Sequence, residues 1–202
     1  MKHPTSRMLH AYWERLRGER AAPERSEIEP GEIRHLLADS LILELDMATR
    51  SATVRLAGTR VCALYGRELK GETFASLWGS EAPDPWRIVD IVDIVASDTL
   101  GVVAGLRGLN TAGEAVDLEL LLLPLRHRGR MQVRALGTLS LDSTPHWIGL
   151  RPLVEAETTS LRILPGRRME AAPPARSALR GPAGFPGPVR RGHLLVHAGG
   201  RA

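Results

Sequence analysis

The sequence is short of the features that usually announce a specialised protein. It has one cysteine, Cys62, in 202 residues. That excludes a disulfide framework and any all-cysteine zinc site. Long hydrophobic runs are missing too. The longest, Leu118–Leu125 (LELLLLPL), is interrupted by Glu119 and Pro124 and falls far short of the roughly 20 residues of a membrane span. Residues 1–10 (MKHPTSRMLH) contain no apolar stretch of the kind a secretory signal needs, so a soluble, cytoplasmic chain is expected. Aromatic residues amount to only 4%, which gives each ring weight in packing. No phosphate-binding glycine loop, nucleophile elbow or catalytic-triad pattern is present. The seven histidines include no HExxH pair and no cysteine–histidine cluster. His35 and His127 are the two that bear comparison with haem ligands. His127 falls at a predicted hairpin end, where solvent exposure is the plainer account. No catalytic residue set emerges, and an enzyme is not expected.

What is present is ordinary globular composition, 43% hydrophobic and 25% charged. The charge is unevenly placed. Residues 166–202 hold seven arginines and a single acid, a net of +6, which leaves the body near −2. A nucleic-acid-binding domain would carry its basic charge on the folded part, so no specific nucleic acid is expected as partner. The same stretch is rich in proline and glycine and cannot bury enough apolar surface to order itself. It is expected to be mostly disordered, with Leu194–Val196 as a short apolar patch.

Patterning divides the body. A first helix, capped by Thr5 or Ser6 and ended by Gly18, sets Met8, Leu9, Tyr12, Trp13 and Leu16 on one stripe. Such a helix must cover the domain's own sheet or a second chain. Pro30–Leu37 reads as a short helix. Leu41–Leu45 and Ala52–Ala57 read as strands. Thr59 caps a helical segment Arg60–Tyr65 that Gly66 stops, another helical turn runs from Gly71 and Thr73 through Trp78, and Trp86–Ser97 is an amphipathic helix. Three long strands follow at Leu100–Leu109, Ala115–His127 and Met131–Leu141, joined by glycine-containing, hairpin-like connections. Leu118–Leu125 is apolar on both pleat faces and so predicts a central strand covered on both sides. The expectation is an α+β fold: a five-stranded antiparallel sheet with the inserted helices on one face. Its parts are an N-terminal amphipathic helix (1–18), the domain proper (19–150) and a C-terminal extension (151–202).

Several segments sharpen this order into a resemblance: YWERLRG (12–18), RLAGTRVC (55–62), GRELKG (66–71), the lone Trp78, LELLLLPL (118–125), RALGTL (134–139) and Trp147. Over roughly residues 8–150 the chain resembles bacterial single-domain PAS proteins of PAS domain family 5. The RLAGTR and GRELKG pair is its most specific part. The resemblance implies the PAS fold and a stand-alone sensory or regulatory role. It brings no catalytic residues and no agreed ligand, so the cofactor is unknown. No GGDEF, EAL, kinase or helix-turn-helix module accompanies it.

In a PAS fold the region after the second strand lines an inner cavity. Arg60, Tyr65, Arg67, Glu68, Trp78 and Glu119 are therefore the candidate pocket lining. Arg60 or Arg67 offers a bidentate guanidinium to a carboxylate or phosphate. The competing and favoured reading is an internal ion pair, such as Arg60 with Glu68 or Glu119. Alternation puts Glu119 on one face with Asp117, Leu121 and Leu123. An acid among leucines must be paired or protonated, either as a ligand contact or proton-linked switch, or as a salt bridge pinning the adjacent helices or a partner chain. Trp78, Trp86 and Trp147 suit flavin stacking but read better as core or interface. Cys62 lacks the Asn-Cys-Arg-Phe-Leu-Gln surroundings of flavin-adduct PAS relatives and reads as a structural thiol. Arg126-His-Arg-Gly-Arg130 has an RxxxR spacing used on cyclic dinucleotides, but Asp142-Ser143 does not complete the second half. Two modes of action stay open: a small ligand or signalling partner that shifts the domain between two arrangements, or a ligand-free protein–protein adaptor. A homodimer through Tyr12, Trp13, Leu16 and the sheet face is the expected assembly.

Overall fold

The computed structural model describes residues 1–79, 85–96, 100–164, 189–191 and 194–196. In chain order the body contains α1 (Pro4–Arg17), β1 (Ser40–Asp46), β2 (Ser51–Ala57), α2 (Thr59–Tyr65) and α3 (Pro85–Ala96). The long strands β3 (Gly101–Asn110), β4 (Ala115–His127), β5 (Arg130–Leu141) and β6 (Leu153–Leu164) complete it. Short 3₁₀ turns occur at Arg25–Glu27, Leu37–Asp39 and Phe74–Trp78. The strands form one antiparallel sheet in the order β2-β1-β5-β4-β3-β6. A separate unit, Met169–Ala202, contains the paired strands Val189–Arg191 and Leu194–Val196. The disorder expected from residue 166 otherwise falls outside the described residues.

The sheet has six strands, not five. β6 lies in the stretch expected to be an extension beyond residue 150, and it pairs with β3 along its whole length, from Gly101–Leu164 to Asn110–Leu153. The physical reason it escapes a pattern search is visible in the ladder. The register shifts between Gly105 and Leu106 and again between Leu109 and Asn110. Each bulge inverts the in–out alternation, so the core-facing Leu153, Ala156 and Leu161 stand three and five residues apart instead of keeping a period of two.

β4 is central and apolar on both faces, as its sequence requires. Leu118, Leu120 and Leu122 belong to an inner core with Leu41, Leu43, Val54, Val61 and Leu64, beneath α2, α3 and the Phe74–Trp78 turn. Leu121, Leu123 and Leu125 belong to an outer core with Leu9, Tyr12, Trp13, Ile33 and Leu36. The inserted helices thus take one face, and the chain's own α1 takes the other. Trp13 fixes the docking: its indole N–H donates to the Pro124 carbonyl at 2.8 Å. A proline in a central strand is ordinarily excluded by its missing N–H. Here β4 has already run past the start of β3 at Gly101, which leaves the proline no ladder bond to lose on that side. Tyr12 is held likewise, its hydroxyl oxygen accepting the Glu29 N–H at 2.8 Å.

Several local expectations are corrected. α1 is capped by His3, whose Nδ1 accepts the Thr5 N–H at 3.2 Å. Pro4 takes the first helical turn, where a missing N–H costs nothing. Thr5 and Ser6 are buried in the helix face, whereas Met8 is 43% exposed. Residues 30–36 make successive turns and no regular helix. Gly58, not Thr59, is the N-cap of α2. The β4–β5 hairpin closes on Arg128 and Gly129 alone, at φ 52° and 74°, the pairing of positive φ values that matches a hairpin's twist.

The RLAGTR segment has a backbone explanation. A Cβ on Gly58 would sit 2.1 Å from the Leu37 carbonyl oxygen and 2.3 Å from that of Ala38. Only glycine allows β2 to pass so close to the turn before β1, where the Gly58 N–H donates to the Ser40 carbonyl at 2.8 Å. Gly58→Ala is expected to cost at least about 3 kcal/mol in a urea titration. Gly113→Ala, where a Cβ meets open space, is expected to cost about 1 kcal/mol through its positive φ. Equal losses would refute the close-approach account. Trp13→Phe keeps the ring but leaves the Pro124 carbonyl unpaired. It is expected to lose about 1–3 kcal/mol, and a variant as stable as the parent would show that the bond contributes nothing.

Candidate functional site

The residues expected to line one inner cavity do not converge. Arg60, at the start of α2, is 47% exposed and turns away from the core to pair with Asp39 at 2.5 Å. Asp39 is itself buried, so the guanidinium neutralises an acid that would otherwise be stranded. An internal ion pair is therefore the arrangement found, but with Asp39 and with neither Glu68 nor Glu119. Arg67 is half exposed and lies 3.9 Å from Glu72. Glu68 is exposed and accepts the Lys70 N–H at 3.1 Å, with the Cys62 thiol 3.8 Å away. Arg67 and Glu68 tie down the GRELKG loop, whose carboxyl end joins β2 through the Gly71 N–H to the Val54 carbonyl and the Val54 N–H to the Glu72 carbonyl.

Tyr65 and Trp78 point inward, as core. Burial pushes the Tyr65 hydroxyl's pKa well above its ordinary value, against a smaller opposing effect of Arg67. Trp78 packs edge-on against Phe74 with ring centroids 5.0 Å apart. Its N–H donates to the Thr158 hydroxyl of β6 at 3.1 Å. Trp147 is buried in the same core, and the reading of Trp86 falls outside the described side chains. No cluster of histidine, cysteine, aspartate and glutamate suited to a metal occurs among the described residues.

Glu119 lies on the opposite face, under the start of α1. Its two carboxylate oxygens accept the Lys2 N–H at 2.6 Å and the His3 N–H at 3.1 Å. Burial raises its pKa, but those two N–H groups, the Ser6 hydroxyl and the nearby amino-terminal charge outweigh it and hold the carboxyl below its usual range. The pinning role anticipated for this acid is present, carried by hydrogen bonds to the segment that precedes α1. Tyr12 and Trp13 are buried against their own sheet and Leu16 packs half-buried beside them, so of the two covers open to this stripe, the chain's own sheet is the one seen within a single chain.

Beside Glu119 the outer face opens into a cleft of about 680 Å³. Gly105 of β3 forms its floor. Lys2 and His3 make one wall, Ser160 and Arg162 of β6 the other, and Asp117 and Asp142 close one end. The bulge in β6 shapes it. A Cβ on Gly105 would meet both the Ser160 and Thr159 hydroxyl oxygens, at 2.6 and 3.0 Å, so two consecutive hydroxyls face the same side. Of these residues only Glu119 was singled out from sequence as a site candidate. The β6 wall was missed because β6 itself was not recognised as part of the sheet.

A family model described as PAS domain, PAS family 5, matches residues 1–140. No curated protein matches the chain. Among the described residues no helix is long and apolar enough to cross a membrane.

The Glu119 latch has a pH signature. Its folded-state pKa lies below its unfolded value, so its stabilisation is complete above the unfolded value near 4.5 and is lost as pH falls through the folded one. Protection of the first turn of α1 against hydrogen exchange, taken relative to the intrinsic rate at each pH, is expected to fall over that acidic interval, ahead of protection in β4. In Glu119→Gln that step should vanish. An unchanged step in the variant would assign it to another group.

Proposed function

From the fact that the chain belongs to the PAS domain family, a family of sensory and regulatory modules, we propose that it works by binding and not by catalysis, and that its output is carried by the position of α1 on the outer face of the sheet. In one state α1 is docked, with Trp13 on Pro124 and Glu119 holding Lys2 and His3. In the other it is released, exposing Leu121, Leu123, Leu125 and Leu136. A ligand or partner that prefers one state shifts the population toward it. The observation that carries this reading is the division of labour between the two faces. On the inner face Tyr65 and Trp78 are sealed into the core while Arg60, Arg67 and Glu68 point outward. On the outer face the polar latch and the open cleft lie side by side.

The burial of Tyr65 and Trp78 in the inner core favours the adaptor version of this reading on that face. A homodimer fits the scheme only through release. The apolar stripe of α1 that covers its own sheet is the surface a second copy would have to take over, so assembly and release of α1 are coupled.

Native-state hydrogen exchange tests the proposal. Amides of α1 should open at a lower free energy than those of β4 and β5, as a separate unit, and Glu119→Ala should lower that opening energy further by about 1–3 kcal/mol. If α1 exchanges only through global unfolding, the two-state scheme is wrong. Native mass spectrometry of the same sample, with an absorption spectrum, checks the interior. The expected mass is that of the polypeptide alone, and a retained chromophore would overturn the adaptor version.

A further inference from the structure

The cleft beside Glu119 is electrically divided, and the division indicates what it takes. At one pole stands Arg162, exposed and without an acid partner among the described residues, with Lys2 on the facing wall. The hydroxyls of Thr159 and Ser160 lie next to it. Ser160 Oγ already accepts the Gly105 N–H at 3.2 Å, which leaves its own proton for an acceptor inside the cleft. At the other pole stand Asp117 and Asp142, held together by the Asp142 N–H on the Asp117 carbonyl at 3.0 Å. Neither carboxylate has a cation within ion-pair distance among the described residues. Arg107, the cross-strand neighbour of Asp117, forms no such pair. Glu119 sits between the poles with both oxygens committed to the Lys2 and His3 N–H groups.

The spacing selects the size of guest. Arg162 is level with Val103 on β3 and Asp117 with Arg107. Four residues of strand and two strand spacings separate them, about 16–17 Å between backbone positions. Strand side chains stand roughly perpendicular to the sheet, so the charged groups stay too far apart for the ammonium and carboxylate of a single α-amino acid to bridge. The volume of about 680 Å³ lies within the range of small-molecule sites.

We propose that this cleft binds a dipeptide-sized zwitterion, its carboxylate on Arg162, Lys2 and the Thr159 and Ser160 hydroxyls and its ammonium on Asp117 and Asp142. The guest touches Lys2, one of the two residues latched to Glu119, so this inference deepens the α1 reading above and rests on it for its consequence, though not for the binding itself.

The test is titration calorimetry on the full chain with alanyl-alanine, alanyl-leucine, 6-aminohexanoate and free alanine, together with N-acetylated and C-amidated dialanine. Saturable binding is expected for the dipeptides or for 6-aminohexanoate. Whichever of these binds identifies the source of the widely spaced charges, and free alanine should bind at least tenfold more weakly. Each blocked dipeptide should also be at least tenfold weaker than its parent. Arg162→Ala should weaken dialanine and its N-acetyl form alike. Asp117→Asn combined with Asp142→Asn should weaken dialanine and leave the N-acetyl form unchanged. Binding by none of these probes, or equal binding of blocked and free dipeptides, overturns the proposal. Hydrogen exchange of α1 in the same samples separates the two readings. Binding with unaltered α1 exchange upholds the site and refutes its coupling to the helix. Independent opening of α1 with no probe bound refutes the site and leaves the helix scheme standing.

Discussion

A strand that is apolar on both faces must be covered twice. In this chain that strand is β4, and the two-sided burial of Leu118 through Leu125 dictates most of what surrounds it. The inner side is covered by the segment between β2 and β3, which folds into α2, the Phe74–Trp78 turn and α3. The outer side is covered by the chain that precedes β1, with α1 lying across it. The hydrogen bond from Trp13 to the Pro124 carbonyl sets where α1 lies. It depends on the proline falling where β4 has outrun β3. The same offset that makes the proline tolerable leaves its carbonyl open to the indole.

The most distinctive sequence segments of the chain do architectural work. In RLAGTR, Gly58 exists for a backbone crossing and Arg60 for the buried Asp39. In GRELKG, Gly66 ends α2 at φ 60°, Leu69 is wholly buried, and Gly71 joins β2. Arg55 and Arg134 meet on Glu44, at 3.4 and 3.3 Å, which ties the three adjacent strands β2, β1 and β5. A motif made of arginines, an acid and glycines suggests ligand chemistry on paper. Here the glycines permit close packing and the charges hold neighbouring elements together, so the motif marks a fold more firmly than a site.

Much of this was legible beforehand. Strand positions came out within a residue or two, because β1 to β5 keep regular alternation or a continuous apolar run and their turns carry glycine. The demand for a cover on each side of β4 could be read from LELLLLPL alone. Whether that cover was the chain's own helix or a neighbour's could not, because an amphipathic stripe does not say whose sheet it meets. Two classes of feature were hidden. β6 was hidden by its bulges, which scramble the alternation a strand is recognised by. The outer cleft was hidden with it, since Arg162 and Ser160 become neighbours of Gly105 and Glu119 only when β6 is laid beside β3. Glu119 was visible as an acid out of place, yet its partners are backbone N–H groups at positions 2 and 3, and backbone donors carry no signature in side-chain identity.

The placement of Glu119 makes communication between cleft and helix physically reasonable. Docking α1 buries Leu9, Tyr12 and Trp13, a gross gain on the order of 10 kcal/mol for rings and side chains of this size. The conformational entropy of ordering the helix opposes this gain. Because docking is a difference between large opposing terms, a contribution of about 1–3 kcal/mol from one charged acceptor is enough to move the balance severalfold or more. Glu119 supplies such a contribution at the end of α1 farthest from the Trp13 anchor, and one of the residues it holds, Lys2, also forms a wall of the cleft. Anything that rearranges that wall acts on the weaker of the two attachments of α1. In the proposed scheme, loss of that attachment lowers the free energy at which the whole helix, Trp13 with it, lifts from Leu121, Leu123 and Leu125.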